Sequence, residues 1–522
     1  MSALNIDPSA KSPPLVIIGL DAGDPDFIQK WAEEGYLPAI ASIMKRGLSG
    51  KTAGPDLISE HGAWVSLLSG ISRSEHGYYY FRQLKPGTCD LETVTARDLD
   101  VLPFWGYLKG QNKKVAIIDA PDFDPMAGLP GIQLANWATH NNWDPHHFRT
   151  ASEPPELLQK VRREFGARLV TVENNQSHFE EDVRLYRQLM EQTQIKGKLC
   201  RKLLESDFFD LIVTVFSASH AANHQFWKYR EEIQTGKNSD HELTHAIRNV
   251  YQAIDDQIGL LLAGLPQDAN IFIVSSVGME DEFPTTGLVQ AFFQQLGYQK
   301  PPLPNPKVFF SPRQVFRQLL PERWRVGLSR YFPRETRERL LADQFRRGID
   351  WSRTKAFAIP ASYTSYIRVN LRGREPEGIV ESGAEYDKLL EQIEADLKQL
   401  VDIETREPAV TGVYKTVQLF NCEPPWSLPD MFVEWKPGRF MKQVLHPRAV
   451  LTQEKPDFYR QSDHSTNGFI AAAGPSIQGC GALEDIELLD LAPTFLSLLG
   501  QPVPSRLSGS IMKEMIQTSS IR

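Results

Sequence analysis

Two histidines, His220 and His224, stand one helical turn apart in sequence, shortly after a nearly unbroken apolar run from Phe208 to Phe216. The run is rich in β-branched residues and predicts a buried central strand, and open α/β sheets place their sites at the carboxyl ends of such strands. If the segment after Ser219 is helical, both imidazoles lie on one face and can share a metal ion. The alternative is that both imidazoles cap the sheet or form hydrogen bonds in the core.

A carboxylate stands at the end of another predicted strand. Asp21 directly follows the apolar run Leu15 to Leu20 and precedes a glycine, where it is well placed to hold a metal or a polar ligand. Asp24 and Pro25 have the residue types of an N-cap and a first helical position, so we interpret Asp24 as structural. Asp21 is therefore the candidate ligand of this turn.

Further candidate site residues lie in predicted loops and at a helix start. The stretch from Asp56 to Gly70 is predicted to be a loop that leads into a helix from Ser59 to Gly70, with Ser59 interpreted as the N-cap of that helix. His140 and Asn141 lie in a histidine-containing loop after a predicted strand, and this loop is a candidate wall of a substrate pocket. We group His61 with His140 and Asn141 as candidate substrate-binding residues.

The composition is that of an ordinary soluble globular protein, with 41% hydrophobic and 23% charged residues. A formal net charge of −8 argues against nucleic acid as a partner. No run of about eighteen apolar residues occurs, and Met1 to Lys11 has no apolar signal core, so we expect no transmembrane segment. The scattered cysteines suggest neither a disulfide framework nor a thiolate zinc site, which predicts a cytoplasmic protein with reduced thiols. These cysteines are Cys89, Cys200, Cys422 and Cys480.

Strands alternating with helices predict a doubly wound α/β sheet in a single elaborated domain over residues 1–522. Pro301 to Arg353 breaks this rhythm, carries eleven arginines and is predicted to be a helical insertion. Its arginines belong either to a solvated helical face or to a lid that faces an anionic substrate, a partner or a membrane surface. The sheet is expected to resume at Ser362 to Leu371 and Met431 to Trp435, and Asp485 to Leu499 is predicted as a closing helix.

Short motifs are spread over nearly the whole chain. They are Leu20–Pro25, Trp64–Gly70, Ser74–Gly77, His220–Trp227, Asn370–Val380, Pro429–Trp435, His464–Ile470, Gly474–Pro475 and Asp490–Thr494. In their order and residue types they resemble the alkaline phosphatase superfamily, and within it the type I phosphodiesterase/nucleotide pyrophosphatase branch. The resemblance implies an alkaline phosphatase-like fold, with a mostly parallel, doubly wound central sheet flanked by helices.

The resemblance also implies two adjacent metal ions, of which the first is only partly supported by this sequence. The family holds that metal with an Asp after the first strand, the nucleophile, and an Asp-His pair after a late strand. Asp21 matches the first ligand, but the pair falls on Ser276 and Val277, which cannot bind metal in the same way. The nucleophilic Thr or Ser falls on Glu60, with Ser59 one position away.

The second metal of the family is held by Asp-x-x-x-His and a distant His, and these positions are His220, His224 and His464 here. One of the two metal sites thus lacks its Asp-His pair, and the ligands of the other would be three imidazoles. Three histidines with an open fourth position are the ligands of a catalytic zinc, which lowers the pKa of its bound water to about 7. Iron and manganese are alternatives, since imidazole is not selective. Glu60 or Asp21 would take the proton of that water or become a fourth ligand.

The sequence therefore predicts a hydrolase that depends on one divalent metal ion, with zinc as first choice. Its substrate would be a small anionic molecule, a phosphate ester or phosphodiester. Glu60 is expected to point at the metal, and Ser59 to cap the following helix. The alternatives are a metalloenzyme of the same fold with different, non-phosphate chemistry, and a non-catalytic binding scaffold. Assembly into a homo-oligomer is left open.

Overall fold

The computed structural model describes residues 12–59, 61–139, 149–169, 177–230, 241–303, 334–456 and 459–516. These residues form two compact units. Unit 1 comprises the described residues up to His76, from Thr95 to Glu280 and from Gln461 onward, and unit 2 comprises Gly77–Val94 and Asp281–Arg460. The expectation of one elaborated domain over residues 1–522 stays a prediction, because compactness alone does not show which parts fold independently.

Unit 1 is built on a nine-stranded, mostly parallel sheet, which confirms the predicted fold class. From one edge to the other its strands are Gly481–Glu487, Leu48–Ala53, Phe469–Ala473, Asn270–Val274, Leu15–Leu20, Leu211–Phe216, Val115–Ile118, Gly131–Ala135 and Ala151–Glu153. Within this sheet, Phe469–Ala473 and the edge strand Ala151–Glu153 run against the others. Non-sequential neighbours in the sheet mean that helical crossovers connect the parallel strands.

The three central strands explain why the sequence reads as apolar runs. Leu15–Leu20 lies between Asn270–Val274 and Leu211–Phe216, and every residue of the three strands is buried. A parallel strand covered on both faces has no solvent side, so its residues do not alternate in polarity. The carboxyl ends of all three strands meet at one edge, where the Asp21 backbone N–H donates to the Phe216 carbonyl at 3.0 Å.

Helices flank this sheet, and the N-caps of two of them can be compared with the N-caps predicted from the sequence. Asp24 is the N-cap of Pro25–Glu33 and accepts from the Phe27 backbone N–H at 2.9 Å, as predicted. The predicted cap at Ser59 is wrong, because the helix begins later and its N-cap is Gly62, with φ 90° in the left-handed region. Within the described residues, the α-helices of unit 1 are Pro25–Glu33, Pro38–Arg46, Ala63–Ser69, Arg73–His76, Pro155–Phe165, Phe179–Leu204, Ala218–Phe226, Ala246–Leu262 and Leu491–Leu498.

Unit 2 has smaller sheets that are separate from the nine-stranded one. Its four-stranded antiparallel sheet has the order Ala356–Ile359, Ser365–Val369, Met431–Trp435 and Val410–Lys415. The other strands pair as Val401–Asp402, Gln443–His446 and Ala449–Thr452, and as the hairpin Arg82–Leu84 and Leu91–Thr93. The described α-helices of this unit are Leu288–Leu296, Arg334–Arg347, Ala384–Leu397 and Thr416–Leu419.

Two assignments of elements were therefore wrong. The sheet does not resume at Ser365–Val369 and Met431–Trp435, because these strands pair with each other in unit 2. An apolar, β-branched run predicts a strand, but it does not identify the strand's partners. The predicted closing helix from Asp485 also begins too early, because Gly481–Glu487 is an edge strand and the helix is Leu491–Leu498.

The motif Asn370–Val380 has a structural role in unit 2. The Arg374 guanidinium donates to both carboxylate oxygens of Asp430 at 2.7 Å, and the Arg368 Nε donates to Glu375 at 2.8 Å. All four side chains are buried. Burial opposes ionisation of Asp430, yet the Arg374 guanidinium holds the pKa of this carboxyl below its ordinary value. Removing one partner of such a pair is strongly destabilising, because the other charge is left buried and uncompensated.

The Arg-rich segment is described only in part, since residues 304–333 lie outside the described residues. Its described portion contains the helix Arg334–Arg347, and the proposed insertion or lid over 301–353 stays a prediction. Among the described helices, none combines the length and the apolar character needed to cross a membrane.

Candidate metal centre

His220 and His224 lie on the helix Ala218–Phe226, which begins two residues after the central strand Leu211–Phe216. The strand delivers this helix to the carboxyl edge of the sheet, and the i, i+4 spacing puts both imidazoles on one face. Their ring centroids are 4.7 Å apart. The predicted helical segment is thus present, and it brings the two rings together.

His464 reaches the same edge from a distant part of the chain. It precedes the strand Phe469–Ala473, which runs antiparallel to Asn270–Val274. The residues before an antiparallel strand lie at the edge where its parallel neighbours end. The Ser465 backbone N–H accordingly donates to the Gly278 carbonyl at 3.2 Å, just beyond the end of Asn270–Val274.

The three imidazoles converge. The His464 ring centroid lies 5.0 Å from that of His220 and 4.8 Å from that of His224. One nitrogen from each ring lies within 4.8 Å of the nitrogens from the other two. His224 is buried, and His220 and His464 are largely buried. The structure therefore brings three imidazole nitrogens, each a possible metal ligand, close to one another.

Each imidazole also has an oxygen beside its Nδ1 atom. Asp463 Oδ1 lies 2.8 Å from His464 Nδ1, and Asp21 Oδ2 lies 3.5 Å from His220 Nδ1. Ser462 Oγ lies 3.4 Å from His224 Nδ1. The contact of Ser462 with His224 is a hydrogen bond whose direction depends on the tautomer of the imidazole, and the two carboxylate contacts place a negative charge beside His464 and His220.

Asp21 is held in place next to the cluster. Its Oδ1 accepts from Trp64 Nε1 at 2.9 Å, and its backbone carbonyl accepts from Ser219 Oγ at 2.7 Å. Its other oxygen faces His220. Asp21 thus contacts a histidine of the cluster, while the converging group itself consists of His220, His224 and His464.

The family model described as type I phosphodiesterase/nucleotide pyrophosphatase matches residues 15–323, which is more than half of the chain. The chain belongs to this family. Membership supports phosphoester hydrolysis as the type of reaction, and it agrees with the alkaline phosphatase-like fold of unit 1. No curated protein matches the chain.

Several solved structures are similar to the chain at low identity. Human ectonucleotide pyrophosphatase/phosphodiesterase 5 is 13% identical, with a TM-score of 0.46 over 95% of this chain and 97% of that chain. The murine protein is also 13% identical, with a TM-score of 0.46 over 94% and 96% of the two chains. An inactive variant of the murine protein in complex with AMP gives 13% identity and a TM-score of 0.47 over 95% and 96%.

Ser276 and Val277, onto which the family resemblance places the Asp-His pair, follow Ser275 at the end of the strand Asn270–Val274. Ser275 Oγ donates to the Gly23 carbonyl at 2.7 Å and accepts from the Phe469 backbone N–H at 2.8 Å. Ser276 and Val277 are both buried, and a valine side chain has no donor for a metal. This strand end therefore serves the core of the sheet.

The remaining predicted site residues are not tested by the geometry. Glu60, His140 and Asn141 lie outside the described residues. Ser59 is buried, and its carbonyl accepts from the Arg73 guanidinium at 2.6 Å. His61 is half-buried in the turn before the helix Ala63–Ser69. Their roles as catalytic or substrate-binding residues stay predictions.

The sequence analysis did not identify Asp463 as a site residue. Asp463 directly precedes His464, and its carboxylate contacts the His464 imidazole. The adjacency of Asp and His was the available signal.

The sequence analysis also missed a buried ion pair, in which Lys196 Nζ lies 2.6 Å from Asp119 Oδ2. Asp119 accepts in addition from the backbone N–H groups of Trp137 and Ala138 at 2.7 and 3.0 Å. This pair fixes the segment that leads into residue 140.

Proposed function

We propose that this chain hydrolyses a phosphate ester or phosphodiester of a small anionic molecule with the help of one divalent metal ion. Family membership supports the phosphoester substrate. The observation that carries the metal dependence is the convergence of His220, His224 and His464, whose nitrogens lie within 4.8 Å of one another. Three imidazoles from two separate segments of the chain that converge on one space form a typical ligand set for a divalent metal ion.

The donor set fits a divalent ion. Imidazole nitrogens are common ligands of zinc and also suit iron and manganese. A tetrahedral ion bound at about 2.0–2.1 Å separates its ligand atoms by roughly 3.4 Å. The three nitrogens lie within 4.8 Å of one another, so binding such an ion would require the side chains to move closer together. Zinc is our first choice because it accepts three histidines and keeps a fourth position open.

The carboxylates beside His464 and His220 indicate which imidazole nitrogen of these two residues would bind the metal ion. Asp463, Asp21 and Ser462 face the Nδ1 atoms of His464, His220 and His224, respectively. A carboxylate at Nδ1 keeps the proton on that nitrogen and leaves the Nε2 lone pair as the donor. We therefore assign Nε2 as the ligand atom of His464 and His220, and Asp21 as the residue that orients His220.

When bound, the ion would act as a Lewis acid on a phosphoryl oxygen and acidify a water molecule in its open position. The chain itself must then supply a base for the proton. Glu60 occupies the sequence position of the family's nucleophile, and a carboxylate is suited to accept a proton there. As a phosphoryl acceptor it would form a reactive mixed anhydride, so we assign Glu60 as base or fourth ligand.

A cytoplasmic location is part of the proposal. Cys89, Cys200, Cys422 and Cys480 are free thiols. Reduced thiols are typical of the cytosol, whereas secreted proteins tend to pair their cysteines. Fractionation of cells that produce the full chain would test this, and recovery outside the cytoplasm would contradict it.

The proposal is tested by measuring the metal content of the purified protein together with hydrolysis of bis(4-nitrophenyl) phosphate. We expect one metal ion per chain and metal-dependent turnover. Substoichiometric metal after reconstitution would instead favour a binding scaffold, and bound metal without phosphoester hydrolysis would favour different chemistry.

The role of Glu60 needs its own variants. Glu60→Gln should lower turnover by roughly a hundredfold or more if the carboxylate is the base, because general-base catalysis typically contributes this much. Ser59→Ala serves as the comparison and should retain turnover. An inactive Ser59→Ala variant, with phosphorylated Ser59 trapped in the parent protein, would restore the covalent mechanism of the family and contradict this assignment.

A further inference from the structure

A cavity of about 570 Å³ lies within unit 2, separate from the three histidines. This volume is in the range of pockets that hold small organic ligands. We propose that the cavity binds a small organic anion, with a phosphate or carboxylate group attached to an apolar body. Its walls come from the helix Arg334–Arg347, the start of the helix Leu288–Leu296, the hairpin residues near Phe81 and the loop after Ala356–Ile359.

The helix Arg334–Arg347 makes one wall positively charged. Arg334, Arg337, Glu338 and Leu341 line the cavity, and their spacing places them on one face of the helix. The single carboxylate among them, Glu338, is already held by Arg82, whose Nε and Nη2 donate to it at 2.7 and 2.9 Å. Glu338 is thus committed to Arg82, and Arg337 is a cation on the same face of the helix.

Arg337 is the best-placed cation for a ligand. It is exposed at the cavity and makes no hydrogen bond or ion pair with any residue that the structure describes. Guanidinium groups bind phosphates and carboxylates through two parallel hydrogen bonds. An arginine that lines a cavity and has no acidic partner among the described residues therefore favours an anionic ligand.

The start of the helix Leu288–Leu296 adds a second source of positive potential. The N-cap of this helix is Gly287, which has no side chain to accept from the first turn. Val289 and Gln290 belong to that first turn and line the cavity, and their backbone N–H groups lack acceptors within the helix. Such a helix start attracts anions through its N–H groups and the helix dipole.

The rest of the lining is largely apolar and calls for a ligand with an apolar body. Phe81, Leu341 and Pro360 line the cavity, and the Arg334 guanidinium lies 4.8 Å from the centroid of the Phe81 ring. This contact places a cationic group beside an apolar surface. An inorganic anion would use the cationic wall alone, whereas an organic anion would use both.

The test uses the full-length chain with His220→Ala and His464→Ala, kept metal-free, so that anions do not bind at the three-histidine centre. Far-UV circular dichroism checks the fold, and the parent protein treated with a chelator is titrated in parallel. Calorimetric titration with phenyl phosphate, benzoate and inorganic phosphate then measures binding in unit 2. We expect one saturable site for phenyl phosphate or benzoate, and at least tenfold weaker binding of inorganic phosphate.

Two arginine variants locate the site. Arg337→Ala should weaken binding of the organic anion at least tenfold. Arg339→Ala is the matched control, since Arg339 is exposed on the same helix and does not line the cavity, and it should leave the affinity unchanged. Equal losses in both variants, no saturable binding, or equal affinity for inorganic phosphate and the organic anions would overturn the proposal.

Discussion

Two strands of the same sheet end at the same edge, but the segments that follow them have different roles. Leu211–Phe216 and Asn270–Val274 both flank the central strand Leu15–Leu20 in parallel, and both are followed by polar residues. After the first strand, a helix carries His220 and His224 towards His464. After the second, the Ser275 hydroxyl bonds to the backbone of two neighbouring segments.

The difference shows that a position at the carboxyl edge of a sheet is not sufficient for a ligand site. Ser275 uses its donor and its acceptor to join Gly23 and Phe469, so this strand end stabilises the sheet. The imidazoles of His220 and His224 project from a helix face instead, and their ring centroids lie 5.0 and 4.8 Å from that of His464. The strand end with a helical continuation is therefore the one that carries the proposed metal ligands.

The largest effect is expected for His464→Ala. Removing one of three donors should weaken metal binding by more than the roughly 10–100-fold that loss of an outer partner produces. Competition with a chromophoric chelator measures this affinity. Ser276→Ala, at the other strand end, is the control and should retain the metal. Wild-type affinity in His464→Ala would show that the two strand ends do not differ as described.

A smaller effect is expected for Asp463→Asn, which keeps the size of the side chain and removes its charge. Asp463 Oδ1 lies 2.8 Å from His464 Nδ1, and loss of such a partner typically weakens metal binding about 10–100-fold. The same chelator competition measures the change. Asp26→Asn, at an exposed aspartate, should leave the metal affinity unaltered. An unchanged affinity in Asp463→Asn would remove Asp463 from the site.

The smallest effect is expected for Ser275→Ala, and it concerns stability alone. The substitution removes two buried hydrogen bonds and should lower the free energy of unfolding by about 1–2 kcal/mol. Urea denaturation monitored by circular dichroism measures this loss. Metal affinity should stay the same, because the hydroxyl serves the backbone. A variant that loses metal while keeping its stability would reverse the roles given to the two strand ends.

Much of unit 1 could be predicted from the sequence, because its central strands are apolar on both faces and leave a strong signal. Phe208 to Phe216 was predicted as a strand and is found as Leu211–Phe216. The sheet of unit 2 was not predicted, since nothing in Met431–Trp435 itself shows that it pairs with Ser365–Val369. The N-cap at Gly62 was missed because it depends on backbone conformation and not on a capping side chain.

The site was predictable to the extent that its geometry is local. The spacing of His220 and His224 gives their common face directly, because it follows from helix geometry. His464 entered only through the family resemblance, since the pairing of its strand decides its position. The orienting contacts of Asp463 and Asp21 depend on side-chain directions that no periodicity in the sequence encodes.

The strand Leu48–Ala53 has both of its sheet neighbours, Phe469–Ala473 and Gly481–Glu487, near the other end of the chain. While the protein is being synthesised, this strand emerges early and has no partner until those segments leave the ribosome. Its hydrogen-bonding edges stay open for that time, and open strand edges promote aggregation. His464 lies shortly before Phe469–Ala473 in the chain, so the third imidazole is synthesised together with the strand that closes this part of the sheet.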